Sequence, residues 1–399
     1  MTTWPDALRA LRHRNFRLYF AGHALSTLGT WVQQVALAWL IYRLTDSAAL
    51  LGATTFAALL PQLLLGPVAG AWIDRHDKRR LLIVIETLLG VQAVALALLT
   101  AAGHMGPELI LAMASLLGVL NAIDTPLRQS LLSQFVGDRQ DLPNALALNA
   151  MLFTLSRFIG PPLAGLLLGL VGEAICFTLN ALSYLGLVAG LLLMRMAPTP
   201  RASGSFRTIF GEGLAYALGD AGIRRLMLGV MAVNLTASSY VVLLPVFARD
   251  IFAGDASTLG WLWGAAGLGS LLATLLLANQ RTAEKLPRLI AWSALACGLT
   301  LPLFAFSRYL PLSLLAMAVL GFGVTVNNVG TNIILQSAAP EHLRGRAVAL
   351  YTSLRFGFDA IGGLLAGLIA ARLGAPLALA IAAGVLLLYC AQARWQQRP

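Results

Sequence analysis

The sequence predicts an all-α integral membrane protein with twelve transmembrane helices. The chain is 58% hydrophobic and only 11% charged, and its mean hydropathy of +0.77 excludes an ordinary soluble domain. The apolar residues fall in long runs, and about 20 such residues cross the hydrocarbon core as a helix. Strands of a membrane barrel would be about ten residues long and would alternate in polarity. The runs are too long and too continuously apolar for strands, so we predict helices.

Each predicted helix is one apolar run, and polar or charged segments separate successive runs. In chain order the runs cover residues 16–42, 48–72, 81–101, 107–132, 144–170, 174–196, 224–249, 258–279, 286–306, 312–338, 346–371 and 376–394.

The basic residues are concentrated on one side of the predicted membrane. With the amino terminus inside, 21 Lys and Arg residues fall on cytoplasmic segments and four on outer loops. This bias follows the positive-inside rule, so we predict that both termini are cytoplasmic. The net charge of +11 is then a signal of topology, and we expect no nucleic-acid partner. Three basic residues remain inside predicted helices: Arg128, Arg157 and Arg355.

The chain divides into two similar halves. The longest polar interval follows the sixth run, which predicts a six-helix half (1–196), a cytoplasmic linker (197–222) and a second six-helix half (223–399). Residues of helices 4 and 5 recur in helices 10 and 11. The matches include Asn121 with Asn328, Gln129 with Gln336, Ser130 with Ser337, Gly160 with Gly362 and Gly165 with Gly367. We therefore predict two pseudo-symmetric halves related by duplication.

A dense charged segment, Gly70–Arg80, separates the second and third runs. It resembles the loop after the second helix in the major facilitator superfamily of secondary transporters. That pattern is glycine, three residues, Asp-Arg, one residue, glycine and two basic residues. The matching residues are Gly70, Asp74, Arg75, Lys78 and Arg79. Asp77 stands where the family usually has glycine.

The resemblance implies the major facilitator fold, with a substrate site near the bilayer midplane between the halves. It also implies a conformational latch formed by the five matching residues. We expect Asp74 to accept hydrogen bonds at the positive amino terminus of helix 11, across the interface between the halves. The equivalent segment of the second half, 278–288, lacks the Asp-Arg pair, so this latch is asymmetric.

Helix 5 carries a second, degenerate resemblance, to a glycine-rich motif of the exporters in this superfamily. Gly160, Pro161 and Gly165 match the motif, and Ala147, Ser156 and Ala164 hold positions at which the motif has glycine. The motif favours export over import. Consecutive prolines at 161 and 162 also predict a bend, because proline removes a backbone hydrogen bond.

Ionisable residues inside the predicted helices are functional candidates, because burying one in a bilayer costs at least about 2.5 kcal/mol. Asp124 and Arg128 are four residues apart on helix 4 and can pair on one face. Arg157 lies on helix 5, and Arg355 and Asp359 lie on helix 11. We predict that these five residues couple proton and substrate movement, with Asp124 and Asp359 as the candidate proton carriers.

Other polar residues recur at helical spacing, and we expect these stripes to line a central aqueous cavity. They are His23, Thr27, Thr30, Gln34, Asn121, Asn328, Asn332, Gln336 and Tyr351. Structural alternatives stay open for some candidates. The Asp124–Arg128 pair could serve only to hold helix 4, or Arg128 could pair with Asp74. His23 could be a packing residue, and Glu86 could simply lie at the membrane interface.

The function that follows is transport and not catalysis. No phosphate-binding G-x-x-x-x-G-K-[ST] loop is present, which excludes ATP hydrolysis by this chain and leaves ion-coupled or facilitated movement. Three cysteines at unrelated depths, Cys176, Cys297 and Cys390, indicate neither a metal site nor a disulfide. We expect no cofactor, with the proton as the coupling ion.

Segments around helices 1 and 4 resemble the branch that contains the enterobactin exporter and macrolide efflux proteins. They are Arg14–Arg17, Gly29, Gln33–Gln34 and Asn121–Gln129. The resemblance implies a monomeric exporter in the bacterial inner membrane, among lipid, that moves an amphipathic siderophore- or drug-like molecule by proton antiport. The alternative is a lipid or lysolipid flippase on the same fold.

Overall fold

The fold is all-helical in a computed structural model that describes residues 6–73, 75–194, 219–279 and 283–395. Twelve helices, α1 to α12, follow a short 3₁₀ turn at Asp6–Arg12. They are α1 Arg14–Thr45, α2 Ala48–Ile73, α3 Lys78–Ala101, α4 Pro107–Phe135, α5 142–171, α6 173–193, α7 Ala221–Ile251, α8 Ala256–Ala278, α9 Leu286–Phe306, α10 Leu310–Ala338, α11 Glu341–Leu373 and α12 Ala375–Trp395.

The predicted twelve-helix fold is confirmed, and most helix ends lie within a few residues of the apolar runs. Eleven segments are long and apolar enough to cross a membrane, and one of them, Leu142–Leu193, contains both α5 and α6. Gly172 divides that segment, because its φ of 77° and ψ of 175° are not helical. Only glycine adopts this conformation at low cost, so the sharp turn between α5 and α6 falls there.

Helix α7 is the irregular one. A 3₁₀ turn at Ala237–Ser239 interrupts it, and it ends in a π-helical turn at Phe247–Ile251, shortly after Pro245. Proline removes one backbone donor, and such irregular turns relieve the resulting mismatch in hydrogen bonding. The outer end of α7 is therefore positioned by non-standard backbone geometry.

Aspartate caps explain why several helices begin before their apolar runs. The Asp77 carboxylate accepts a hydrogen bond from the Arg80 backbone N–H at 3.0 Å. Asp220 caps α7 and Asp255 caps α8 in the same way. A side-chain acceptor at this position satisfies an N–H that has no partner within the helix. Asp77 thus has a local role that the glycine of the family pattern could not fill.

The two halves meet where α2 packs against α11 and where α5 packs against α8. At both contacts glycines allow backbone-to-backbone approach. A Cβ built on Gly52 would lie 2.7 Å from the Gly363 carbonyl oxygen, and one on Gly165 would lie 2.6 Å from the Ala256 carbonyl oxygen. Small residues permit such close helix packing within a membrane.

These contacts extend from the helix ends that the charge bias assigns to the outside to the middle of α8, where a Cβ built on Gly267 would lie 2.5 Å from the Arg157 carbonyl oxygen. Along α11, Gly367 and Gly363 touch α2, whereas Gly357 meets only the Leu63 side chain. Nothing described lies within 4 Å of a Cβ built on Gly345, near the predicted cytoplasmic end of α11. The halves are thus closed together at the predicted outer side. Nearly all of the predicted linker lies outside the described residues, so its boundaries stay predictions.

Candidate functional site

A buried ionic cluster lies within the first half, between α1, α3 and α4. We call it the carboxylate cluster; it comprises Glu86, Asp124, Arg128 and His23. The Arg128 Nε donates to both Asp124 oxygens, at 2.9 and 2.7 Å. One Nη of Arg128 lies 2.5 Å from Glu86 Oε1. A single guanidinium therefore hydrogen-bonds to Asp124 and lies at ion-pair distance from Glu86, whose carboxylate oxygens form no well-aligned hydrogen bond with the described residues.

The cluster is shielded from solvent. The Glu86 side chain is fully buried, and those of Asp124 and Arg128 are 10% and 12% exposed. The other Nη of Arg128 donates to His23 Nδ1 at 2.5 Å, which places the proton of a neutral His23 on Nε2. Counting formal charges, two ionised carboxylates and one guanidinium leave a net charge of −1 beside a neutral imidazole.

Aromatic and hydroxyl groups enclose the His23 side of the carboxylate cluster. The Tyr19 ring stacks on the His23 ring at 5.0 Å between centroids, and Phe135 stacks on Tyr19 at 4.6 Å. Thr27 Oγ1 lies 3.3 Å from His23 Nδ1. The predicted pairing of Asp124 with Arg128 is thus present, and His23 is part of the same network.

The sequence left open that Glu86 simply lies at the membrane interface, and the structure instead buries it beside Arg128. Glu86 lies eight residues into α3, about 12 Å along the axis from the first residue. It is also the only acidic residue in that helix. The available signal was the position of an acidic residue deep within an otherwise apolar run. The partner of Glu86, Arg128, lies on α4, and the sequence of α3 alone does not show which residues of α4 pack against it.

A second charged group lies at mid-helix, between the halves. Arg157 is on α5, and Arg355 and Asp359 are on α11. Asp359 is close enough to interact electrostatically with both guanidiniums, and the Tyr240 side chain on α7 interacts with Arg157. Among the described residues, however, no carboxylate lies within the 4 Å ion-pair distance of either arginine. The structure thus brings three predicted coupling residues together as a group with a formal charge of +1.

The predicted lining residues on α1 and α4 differ in their surroundings. Thr27 is buried beside His23, and Thr30 donates to the Ser26 carbonyl oxygen at 2.8 Å. Gln34 is exposed, and Asn121 is half-buried. Their role in lining a cavity stays a prediction.

The predicted lining residues of the second half are partly engaged in packing. Asn328 exchanges hydrogen bonds with Asn234 on α7, at 2.9 and 3.3 Å, and both are buried. The buried Tyr351 hydroxyl donates to the Asn328 carbonyl oxygen at 2.7 Å. Closer to the predicted cytoplasmic end, the exposed Gln336 donates to Asn332 at 3.1 Å. Helical spacing alone did not separate the packed members of this stripe from the exposed ones.

The predicted latch is only partly described. Gly70 lies within α2, and Asp74, on which the cross-half contact depended, lies outside the described residues. Arg79 contacts its own half, because its guanidinium donates to the Leu191 and Leu192 carbonyl oxygens at 3.0–3.1 Å. Both carbonyls lie in the last turn of α6, where the helix itself leaves acceptor capacity free. Arg79 thus joins α3 to α6, and a latch role for the segment stays a prediction.

The helix-5 motif lies at close helix contacts. A Cβ on Gly160 would lie 2.6 Å from Trp31 Cβ on α1. The Pro161 carbonyl oxygen is 2.6 Å from a Cβ built on Gly260 of α8, and Gly165 faces the same helix. The motif therefore allows α5 to approach α1 within its half and α8 across the interface.

A group that sequence reasoning missed joins the halves at the predicted outer side. We call it the outer cluster; it comprises Tyr42, Asp46, Arg249 and Asp250. The Tyr42 hydroxyl donates to an Asp250 carboxylate oxygen. Arg249 lies 2.5 Å from Asp46, with its guanidinium carbon 5.3 Å from the centre of the Tyr42 ring. Outer-loop charges of opposite sign were visible in the sequence, but their pairing across some 200 residues was not.

Two further features bear on the chemistry. Among the described residues, no group of three or more His, Cys, Asp or Glu side chains could hold a metal ion. A cavity of about 460 Å³ lies at the predicted cytoplasmic ends of α1 and α4, lined by His13, Arg14, Asn15, Gln134, Phe135 and Gly137.

Comparison with known proteins finds relatives that this chain matches over most of its length. The chain is 25% identical over 354 residues to the staphyloferrin A transporter of Staphylococcus aureus, covering 88% of both chains. It is 31% identical over 359 residues to the multidrug efflux pump Tap of Mycobacterium tuberculosis, covering 86% of this chain and 84% of Tap. It is 27% identical to the enterobactin exporter EntS of Shigella flexneri, covering 96% and 91%.

Structural similarity extends over the whole fold. The nucleoside transporter NupG superposes with a TM-score of 0.75 at 15% identity, covering 98% of this chain and all of NupG. A bacterial homologue of the lysosomal transporter Spinster gives a TM-score of 0.74 at 14% identity, covering 95% and 96%. The family model described as transmembrane secretion effector matches residues 6–397. This multi-pass membrane protein therefore belongs to the transmembrane secretion effector family, within the major facilitator superfamily of transporters.

Proposed function

We propose that the protein exports an amphipathic, siderophore- or drug-like small molecule across the bacterial inner membrane in exchange for protons. Both termini would be cytoplasmic, as the positive-inside bias predicts. The single observation that carries the coupling is the carboxylate cluster, in which one guanidinium faces two buried carboxylates.

The charge count of the cluster favours a bound proton when the site is sealed. An uncompensated charge inside a protein or membrane costs several kcal/mol, so a buried group with a net charge of −1 is unfavourable. One proton on Glu86 or Asp124 restores neutrality. Opening the site to water removes that cost, because water solvates the second carboxylate. A cluster that is alternately sealed and opened thus binds and releases a proton.

The position of the cluster suits coupling to alternating access. Its members lie on α1, α3 and α4, so any movement that changes the packing of these helices changes the hydration of Glu86. His23 is hydrogen-bonded to Arg128 and lies on the helix that carries Trp31, which packs against Gly160 of the exporter motif. The same helix α1 therefore contacts both the proton site and the motif.

The substrate class is supported by the relatives. Two of them are named as siderophore transporters, for staphyloferrin A and enterobactin, and a third as a multidrug efflux pump. Substrates of all three kinds are small molecules, and the degenerate helix-5 motif favours export. We propose no lipid substrate, because no contact among the described residues favours the flippase alternative.

Inside-out membrane vesicles test this function. We would energise them with an acid-inside pH gradient and measure accumulation of enterobactin, staphyloferrin A and ethidium. We expect at least one probe to accumulate, and nigericin to abolish the accumulation. Glu86→Gln should lose gradient-driven accumulation while still exchanging the probe at equilibrium. Glu284→Gln, which changes an exposed glutamate in the short 3₁₀ turn Ala283–Lys285 before α9, is the matched control.

Two results would contradict the proposal. Accumulation of no probe by the wild-type protein would remove the export function. Accumulation by Glu86→Gln at the rate of Glu284→Gln would remove the proton site but leave export intact.

A further inference from the structure

The arginine group at the centre of the fold has an excess of positive charge. Arg157 and Arg355 come from different halves, and Asp359 is the acidic residue that interacts with both. The Nε atoms of both arginines are buried and have no hydrogen-bond partner among the described residues. A buried donor without an acceptor costs about 1–3 kcal/mol, and more when the group is charged. The arginine group therefore has two buried N–H donors for which the described residues provide no acceptor.

Local contacts stabilise the arginines only in part. The Arg355 guanidinium lies over the Phe356 ring, 5.0 Å from its centre, and Arg157 interacts with Tyr240. Cation–π contacts and a neutral hydroxyl lower the energy of a cation but leave its charge uncompensated. By contrast, Arg128 in the carboxylate cluster touches two carboxylates. The carboxylate cluster and the arginine group are thus unbalanced in opposite directions.

We propose that Arg157 and Arg355 form a binding subsite for an oxyanion of the transported molecule, such as a carboxylate or a deprotonated catechol. A planar guanidinium matches the two oxygens of such a group, and two guanidiniums from opposite halves hold it at the interface. Both arginines lie near the middle of their helices, about 22 Å along the axis from the first residue of α5 and of α11.

Neighbouring aromatic rings fit the apolar part of the same substrate. Trp31 on α1 and Trp263 on α8 pack edge to face at 6.3 Å, and Phe153, one turn before Arg157, lies 6.2 Å from Trp31. An amphipathic anion would place its charge on the arginines and its apolar body toward these rings. The inference rests on the proposed export function, since it names the chemistry of that substrate. It also predicts that Asp359 weakens anion binding by repulsion.

Binding to the purified protein in detergent, without any gradient, tests the subsite. We would titrate dansylglycine, an aromatic carboxylate, and its amide, which has nearly the same size and shape but no charge. The wild-type protein should bind the carboxylate more tightly. Arg157→Gln and Arg355→Gln should each weaken that binding at least about tenfold, as for a charge-assisted hydrogen bond. Affinity for the amide should stay unchanged. Arg372→Gln, at the exposed end of α11, is the matched control.

Asp359→Asn provides a test that misfolding cannot imitate, because it should tighten dansylglycine binding. The subsite would be refuted if the wild-type protein bound both compounds equally or neither, or if both glutamine variants kept wild-type affinity for the carboxylate. These outcomes are separate from the export test, because dansylglycine binding needs neither a proton gradient nor the carboxylate cluster. Failed transport with charge-selective binding would contradict only the export function.

Discussion

The outer cluster should stabilise the conformation in which the halves are closed at the outer side. Tyr42 and Asp46 belong to the first half, and Arg249 and Asp250 to the second, so opening this side breaks every contact between them. We predict that Tyr42→Phe and Arg249→Gln shift the equilibrium toward an outward-open state.

The exposure of the partners sets the size of each shift. Arg249 and Asp46 are 39% and 67% exposed, and such surface pairs contribute about 0.2–1 kcal/mol, a factor of about 1.5–5 in the conformational ratio. The Tyr42 hydroxyl is buried and donates to a carboxylate, and such bonds contribute about 1.5–3 kcal/mol. Asp250 is 46% exposed, so water solvates its carboxylate when the bond to Tyr42 breaks. The contribution of this bond is therefore expected at the lower end of that range, which changes the conformational ratio about tenfold. Tyr42→Phe should therefore have the larger effect.

Double electron–electron resonance between spin labels at His104 and Arg308 measures the shift. Both positions are exposed, and they lie on predicted outer loops of opposite halves. The three native cysteines are buried, which limits background labelling. The control is Arg43→Gln, which breaks a 2.7 Å ion pair to Glu173 at the same side but within one half. The reasoning fails if Tyr42→Phe and Arg249→Gln give the same distance distribution as this control.

Three further predictions concern packing, capping and pH. Gly165→Ala should lower the melting temperature, because its Cβ would lie 2.6 Å from a backbone oxygen and overpacking costs about 1–3 kcal/mol; Gly384→Ala, where nothing lies within 4 Å, should not lower it. Asp77→Ala should speed amide exchange in the first turn of α3 by removing a cap that contributes about 0.5–2 kcal/mol, whereas Asp77→Gly should change it less. A hydrogen bond from His13, with nearby arginines, lowers the pKa of Asp141, so this contact should persist above its unfolded pKa of about 3.9 and be lost as pH falls further. Hydrogen-exchange protection of the 3₁₀ turn Asp6–Arg12, corrected for the intrinsic exchange rate and followed from about pH 5 down to about pH 2, would detect that loss, and constant protection over this range would contradict it.

Periodicity and charge bias were sufficient to predict the helices, because spanning a bilayer requires long apolar runs with internally bonded backbones. They also located the Asp124–Arg128 pair, since residues four apart share a helix face. The ion pair between Glu86 and Arg128 could not be predicted from the sequence. Its partner lies on another helix, and nothing in one helix specifies which side chains of the next will face it.

Spacing was less informative for the polar stripes. Asn328 and Gln336 are two turns apart on one helix, yet the first is buried against Asn234 and the second is exposed. Contact with the neighbouring helix α7 determines which residue of the stripe is buried, and the position of α7 is fixed only by tertiary packing. Asp77 illustrates the converse case. A departure from the family pattern that has no explanation in the sequence alone becomes a helix cap once the start of α3 is known.

Proton movement during transport tests the central claim most directly. The protein would be reconstituted in liposomes loaded with the pH indicator pyranine, with equal pH on both sides and the membrane potential clamped by valinomycin and potassium. The probe that accumulated in vesicles is then added outside. If entry is coupled to proton exit, the lumen becomes alkaline as the probe enters, and Glu86→Gln abolishes the pH change without abolishing entry. Entry into wild-type liposomes with an unchanged or more acidic lumen would contradict proton antiport.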